Sequence, residues 1–501
     1  MVAQTVNANF NLAAYLLDGR FSDDHPTLVM VGEDMDVARH DRAACRRLAM
    51  RHGNVIARHA ASGAIILLDL GNSPEMAFTF LGCIAKGLVP SPLSNLLTPS
   101  EIRKMADQVQ ATLVVSDRLD GPDVMSIADL QKAVEDAPED FSCSDTKRED
   151  PAFLVFTSGS TGKPKAVIHA QRTILGRQPM YEDWYGIRPG DRVLHAGGLN
   201  WTYTLGAGFL DPLATGATGL IDLGDRNIAR LLRIANMEAA SIFAAVPGIY
   251  RKLLKQPQAE LTDNFHALRH GLSAGEALHQ ELRAAWKNVM GRELYEALGQ
   301  SEISTFISTG PNLPVRPGSP GKPQRGRNIC VLDMGTDDTS PLPAGKTGFL
   351  AVSRDDPGLM LGYLHDEKGT KSMFRGNWFL GGDVGHFDDD GYFWHEGRGD
   401  DLMNALGYRV SPEDVENALL EHPLIDEAAV REVSVREDLS LIGAFYVGQE
   451  VPQEDLQKFL EERLASYKMP KLFVPLDELP RTANGKLKRK SLPGHVQEIN
   501  N

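Results

Sequence analysis

Residues 156–169 read F-T-S-G-S-T-G-K-P-K-A-V-I-H. The stretch follows a short apolar run, residues 152–156, and sets four hydroxyl side chains and two lysines around two glycines. A polar surface hairpin is the bland account, but a tight hairpin is best signalled by Asn-Gly or Asp-Gly at two-residue spacing. The clustering of phosphate-type donors favours a polyphosphate-binding loop. Gly159 and Gly162 let the backbone turn tightly and approach an anion. Thr157, Ser158, Ser160 and Thr161 offer hydroxyl donors, and Lys165 supplies a mobile point charge. The loop is not a Walker A motif, which would need Gly at 157 and Ser or Thr at 164, where Thr157 and Pro164 stand.

Working outward, a chain of 501 residues exceeds one ordinary core, so two or more domains are expected. An apolar fraction of 42% and a charged fraction of 24% are those of a soluble globular protein. A net charge of -15 argues against non-specific nucleic-acid binding, which needs a basic field. Anionic substrates must therefore meet local positive groups. No run of about eighteen apolar residues exists, so no membrane span is expected. The opening ten residues lack the basic flank and apolar core of a secretory signal. Cys45, Cys83, Cys143 and Cys330 are scattered with no C-x-x-C pair, which disfavours a zinc site or disulfide framework. Cytoplasmic residence is the expectation, and a homo-oligomer stays open.

Helical periodicity over residues 41–59 precedes an apolar strand at 64–69. Asn72-Ser73-Pro74-Glu75 then caps a helix reaching about Lys86, and another strand follows at 113–116. Strands alternating with helices predict a parallel sheet covered on both faces, an α/β architecture. A turn at Gly190-Asp191 leads into a strand ending at His195, and residues 241–246 form a further buried strand. Trp201 and Tyr203, two apart in a Gly-rich setting, face one side if their segment is extended. The acidic run Asp388, Asp389, Asp390 before Gly391 reads as a turn, since its spacing does not match an EF-hand.

T-S-G-S-T-G-K-P-K-A resembles the signature of the adenylate-forming (AMP-binding) superfamily, the acyl-CoA synthetases, adenylation domains and luciferases. Further segments resemble that superfamily in order along nearly the whole chain. Asn95-Leu96-Leu97-Thr98-Pro99 is similar to benzoate-type aryl-CoA ligases, although Thr98-Pro99 is also a plain helix start. Gly198-Leu199-Asn200-Trp201 resembles the D-x-G-W segment beside the acyl pocket, with Asn200 replacing glycine. By that resemblance Trp201 and Tyr203 are acyl-pocket candidates. Ser273-Ala274-Gly275-Glu276-Ala277 resembles the adenine-side loop, which brings in Gly275, Glu276 and Ala277. L-Y-E-A-L-G-Q-S-E, residues 294–302, resembles Y-G-x-T-E: Leu298 stands where an aromatic residue usually meets adenine, followed by Gly299, Gln300 and Ser301, with Glu302 as the Mg²⁺ ligand. Mg-ATP sites use one or two carboxylates plus phosphate oxygens and water. Residues 348–363 resemble a structural block. Residues 378–383, W-F-L-G-G-D, resemble W-x-x-T-G-D, with Gly381 for threonine and Asp383 as the ribose ligand.

Residues 397–409 resemble G-R-x-D-D-x-[IL]-[KN]-x-x-G-x-R. The match implies that Arg398 and Arg409 contact nucleotide phosphate or ribose, that Asp400 is the hinge, and that Leu406 and Gly407 lie on the thiol-acceptor side. Residues 479–489, L-P-R-T-A-N-G-K-L-K-R, resemble the C-terminal motif whose lysine is Lys486 here; a solvated basic tail is the alternative. Nothing is assigned to the loop expected between Val433 and Ala444. The resemblance implies a large N-terminal domain of packed sheets and helices, residues 1–400, and a small mobile C-terminal α/β domain, residues 401–501. It implies an AMP-forming acid:CoA ligase: a short, medium-chain or aryl carboxylate attacks MgATP to give acyl-AMP and pyrophosphate, with Lys486, Lys165 and Glu302 as catalytic residues, and coenzyme A then takes the acyl group. A stand-alone enzyme loading a carrier-protein thiol and a non-catalytic nucleotide-binding protein are the alternatives.

Overall fold

The computed structural model describes residues 9–157, 164–399, 403–405, 408–436, 439–481 and 487–495, with the side chains of 404, 405, 408, 409, 436, 439 and 467 left aside. Its helices start where local chemistry dictates. Ser73 accepts a hydrogen bond from the Met76 N–H at 3.0 Å and Pro74 opens the helix Pro74–Ala85. Asp41 caps Arg42–Ile56 through the Ala44 N–H at 2.7 Å. Thr98 and Glu101 form a reciprocal capping box at the start of Pro99–Val109, so Thr98-Pro99 is a helix start.

Pro74–Ala85 is buried from Met76 onward, because it lies between a sheet and the helix Arg42–Ile56. The two helices touch backbone to backbone. A Cβ on Gly82 would fall 2.2 Å from the Ala49 carbonyl oxygen and 2.5 Å from the Gly53 nitrogen. Around this crossing Phe78, Phe80, Leu81 and Ile84 lose their solvent exposure, worth roughly 1.5–3 kcal/mol for each large side chain.

The large domain holds the expected parallel sheets. One has the strand order Val89–Pro92, Ile65–Leu68, Leu113–Val115, Val124–Met125, all parallel. The nine-stranded sheet has a parallel centre, Pro26–Val31, Thr218–Asp222, Arg192–His195, Ile242–Ala245, His270–Ala274 and Leu294–Gln300, with antiparallel strands on both edges. Alternating strands and helices do not describe the rest. Gly348–Ser353, Trp378–Phe387 and Phe393–Arg398 belong to an antiparallel sheet, and the last two are joined by the tight Asp388–Asp390 turn. Pro151–Thr157 and Lys165–Ala170 pair antiparallel, with Gly362–Tyr363 as a third strand.

The small domain packs the helices Pro412–Leu420 and Gln453–Glu461 on a sheet of Ile425–Arg436, Leu439–Gly448 and Leu472–Pro475. It has its own core, centred on Val415, Leu419, Val430, Ile442, Tyr446 and Leu460. Val433 and Ala444 lie inside two long paired strands, which corrects the expected loop between them. Cross-strand burial of Val430, Val433, Ala444 and Phe445 holds that pairing.

Gly82→Ala is expected to destabilise the large domain by about 1–3 kcal/mol, since the obstructing atoms are backbone and the helices must separate. A lowered urea midpoint checks this. Gly248→Ala, where a Cβ meets nothing within 4 Å, serves as the control that should not lower it.

Candidate functional site

Loops at the carboxyl ends of the central parallel strands build the site, the usual ligand position in such sheets. After His270–Ala274 the backbone turns through Gly275 at φ +94°, and a Cβ there would lie 2.9 Å from a Trp201 ring carbon. The indole therefore packs on the Gly275 backbone, which only glycine permits. Trp201 caps the short helix Thr202–Thr204, and the chain continues helically through Leu205–Leu210 and Asp211–Thr215. The extended reading of this segment is thus corrected. Even so the two rings meet, edge to face at 5.4 Å between centroids. Trp201 is half-buried, whereas Tyr203 is buried and its hydroxyl donates to the Leu272 carbonyl at 3.1 Å.

At the phosphate end, Thr157 and Lys165 are register partners at the mouth of the hairpin. The strands on either side of the Gly-rich stretch therefore pair as a hairpin. Ser158, Gly159, Ser160, Thr161 and Gly162 lie outside the described residues. Lys165 Nζ sits 4.4 Å from the Tyr363 ring centroid, and the Tyr363 hydroxyl donates to Glu302 Oε1 at 2.7 Å. Burial and the Glu302 carboxylate push the Tyr363 phenol well above its ordinary range, so it stays a donor. Tyr363 went unassigned in the sequence because its G-Y block reads as structural; its hydroxyl joins the lysine and carboxylate into one patch. No group of three metal-ligating side chains exists among the described residues. One carboxylate beside a lysine fits a Mg²⁺ ion held mostly by phosphate oxygens and water.

Gln300 and Ser301 follow the bulge at Leu298 and Gly299, where a Cβ on Gly299 would lie 2.5 Å from the Ser304 carbonyl. Leu298 packs against the core that contains Phe306. Ser301 Oγ is 3.5 Å from Thr202 Oγ1, which ties this strand end to the Trp201 segment.

The Gln300 amide donates to Asp383 Oδ2. A Cβ on Gly381 would sit only 1.8 Å from that amide. Glycine in place of threonine is therefore the counterpart of the Gln300 side chain, which fills the same space. Asp383 also faces Arg398, its register partner, at 3.6 Å, and His395 Nε2 at 3.3 Å. Burial alone would raise the Asp383 pKa, but His395 and Arg398 outweigh it and hold it at about 2. His395 reaches in the other direction to Glu413 of the small domain, 3.0 Å from Nδ1. Burial disfavours its charge, yet Glu413 and Asp383 together raise its pKa to about 10. His395 had no motif to mark it; its partners are remote in sequence.

The Glu276 carboxylate faces the small domain. It accepts from Arg481 Nη1 at 3.1 Å and from the Leu487 N–H at 3.2 Å. Gly275 and Ala277 beside it are exposed. Lys486, Asp400, Leu406 and Gly407 lie outside the described residues, as does the side chain of Arg409. The neighbours of Lys486 nonetheless dock beside the Gly275 loop. Thr157, Lys165, Glu302, Gln300, Ser301, Trp201, Gly275, Asp383 and Arg398 are brought to one edge of the large domain.

Gly381→Thr is expected to weaken AMP binding about tenfold or more, because threonine and Gln300 compete for one volume. Adding Gln300→Ala should recover most of the loss in a calorimetric double-mutant cycle. The raised His395 pKa contributes stability that is complete below the ordinary imidazole value of 6.5 and is lost as pH rises through about 10. Between these values the unfolding temperature should fall by several degrees more in the wild type than in His395→Gln, as read by thermal scans across pH.

Residues 35–364 match the family described as AMP-binding enzyme, and residues 414–486 match the AMP-binding enzyme C-terminal domain. The 3-hydroxybenzoate--CoA ligase of Aromatoleum sp. (strain CIB) is 30% identical over 467 residues, 88% of each chain. Acyl-coenzyme A synthetase ACSM3, mitochondrial, of Rattus norvegicus is 29% identical over 86% of this chain and 79% of its own. Among solved structures, the anthranilate CoA ligase AuaEII in complex with anthranoyl-AMP superposes with a TM-score of 0.87 at 25% identity, covering 98% of this chain and 97% of that one. Matched over both of its domains, the chain belongs to the AMP-binding enzymes.

Proposed function

We propose that the chain is an AMP-forming acid:CoA ligase that activates an aryl or medium-chain carboxylate with ATP and transfers the acyl group to coenzyme A. The observation that carries this reading is the convergence at one edge of the large domain. The Lys165–Tyr363–Glu302 patch and the Asp383–Arg398 pair lie there, and the residues flanking Lys486 dock on Glu276. Support for the acid class comes from relatives named for 3-hydroxybenzoate and anthranilate. No helix among the described residues is long and apolar enough to cross a membrane, and cytoplasmic residence is part of the proposal.

The two reactants of the first half-reaction, a carboxylate and a triphosphate, repel each other. Lys165 and Lys486 offset that charge and favour the transition state at the α-phosphate. Glu302 would hold Mg²⁺, which supplies further neutralisation of the phosphate oxygens when bound. Asp383, kept ionised by His395 and Arg398, accepts from the ribose hydroxyls, an acceptor-only role that suits a low pKa. Gly275 and Ala277 offer open backbone to the purine, with Leu298, Gly299 and Gln300 beneath it. The hydroxyls of Thr157, Ser158, Ser160, Thr161 and Ser301 position phosphate oxygens, with Gly159 and Gly162 shaping the loop. Trp201 walls the acid pocket and Tyr203 braces it. In the second half-reaction the small domain, residues 401–501, turns about Asp400, brings Leu406 and Gly407 to the thiol side, and leaves Arg409 near phosphate.

Carboxylate-dependent pyrophosphate release, scanned over acids with and without coenzyme A, tests the activity. Lys486→Ala is expected to lower acyl-AMP formation by roughly 10²–10³-fold while thioester formation from supplied acyl-AMP persists. Equal losses in both half-reactions would overturn the assigned roles. Replacing coenzyme A by a pantetheinylated carrier should not sustain turnover.

A further inference from the structure

The strand next to Arg192–His195 in the sheet is Thr218–Asp222, and its carboxyl end turns through residues 223–227 into the helix Ile228–Met237. Arg226 stands in that turn, half-buried. Its guanidinium lies against the segment that carries Trp201: a Cβ built on Gly198 would meet Arg226 Nη1 at 2.8 Å and Asn200 Oδ1 at 2.5 Å. Gly198 is thus required for the guanidinium to sit where it does. Trp201, three residues on, packs with its ring against Gly275. Arg226 and the Trp201 indole are thus set along one short segment, residues 198–201.

Arg226 makes no ion pair and no side-chain hydrogen bond among the described residues. Asp222 is its nearest acid, but Asp222 Oδ1 is committed to Arg230 Nε at 2.6 Å and to the Gly224 N–H at 3.0 Å, and it acts on Arg226 only as a more distant charge. Asp225 is exposed beside it in sequence and forms no pair with it. The nearby ring of His195 is neutral, its pKa lowered to about 3 by burial and then by Arg226 itself, so it neither competes with nor balances the arginine. Asp222, Arg226 and Arg230 together leave one positive charge uncompensated at the acid end of the site. Arg118, Arg192 and Arg269, half-buried in the same domain, each have a carboxylate, whereas Arg251 shares with Arg226 the lack of an ion pair among the described residues but lies in the field of Glu427 and Glu276. A partly desolvated guanidinium with none is costly, and a planar oxyanion is the ligand that its donor fork matches.

We infer that Arg226 receives a second anionic group on the substrate, so that the acid activated here is a dicarboxylate, with one carboxylate adenylated and the other paired with Arg226. The inference rests on the ligase reading and narrows its substrate class. No step is added to the reaction: the second carboxylate stays ionised throughout and forms only hydrogen bonds.

The test is carboxylate-dependent pyrophosphate release on matched pairs, benzoate against 1,4-benzenedicarboxylate and octanoate against octanedioate. The wild type is expected to favour the diacid in at least one pair. In Arg226→Met the diacid-to-monoacid ratio of kcat/KM should fall by about 30-fold or more, the worth of a charged hydrogen-bonded pair. Arg226→Lys, which keeps the charge without the fork, should retain part of the preference. Arg226→Glu should turn the pocket toward an acid carrying an amino group, probed with 8-aminooctanoate. A ratio that Arg226→Met leaves unmoved, or a wild type that prefers the monoacid in both pairs, overturns the inference while the ligase reading stands. Absence of pyrophosphate release with every acid overturns the ligase reading and this inference with it.

Discussion

A buried imidazolium joins the two domains. His395 lies between Asp383 on its own sheet and Glu413 at the start of a small-domain helix, and each of the three groups depends on the others to stay charged. Stripping water from a carboxylate or an imidazolium costs several kcal/mol, so none of them is stable here alone. Together they fix the rotation of Asp383, the carboxylate assigned to the ribose, and at the same contact set where the helix Pro412–Leu420 begins. The orientation of Asp383 and the position of the small domain thus share one side chain.

The same economy runs through the site. Tyr363 is a register partner of Val167 in the sheet that launches the phosphate loop, and its hydroxyl orients Glu302 while its ring faces Lys165. Gln300 ends a central strand and steadies Asp383 from below. Trp201 closes against the Gly275 backbone, and Gly198, three residues before it, lies against Arg226. Rigid strand ends supply the positions, and short side-chain contacts between sheets lock the rotamers, as a preorganised electrostatic site requires.

Much of this was legible in the sequence, and for definite reasons. Helix starts at Ser73 and Thr98 were readable because capping is local. The parallel strands announced themselves as short apolar runs between helices. Glu302, Asp383 and Arg398 were singled out by the family resemblance of the segments that carry them. What escaped depends on contacts across sheets. Tyr363 and His395 owe their importance to partners 61 and 18 residues away. The helical course of residues 202–215 overrode the β-leaning Thr-Tyr-Thr run, because tertiary packing outranks propensity. Gly381 reads in the sequence as a lost threonine, and the Gln300 side chain fills its place; nothing local marks Glu276 as the acceptor for Arg481.

The ions at the domain interface come in sets with a spare. Arg481 touches Glu276 of the large domain but also pairs at 2.7 Å with Glu427 of its own. Glu413 feels Arg489 as well as His395, and His395 keeps Asp383. Glu276 in turn lies in the field of Arg251. Among the described residues named here, pulling the domains apart therefore leaves each buried charge a neighbour of opposite sign on its own side. The interface behaves as a latch between two surfaces that are each nearly neutralised internally, one that holds firmly when shut yet asks little to open.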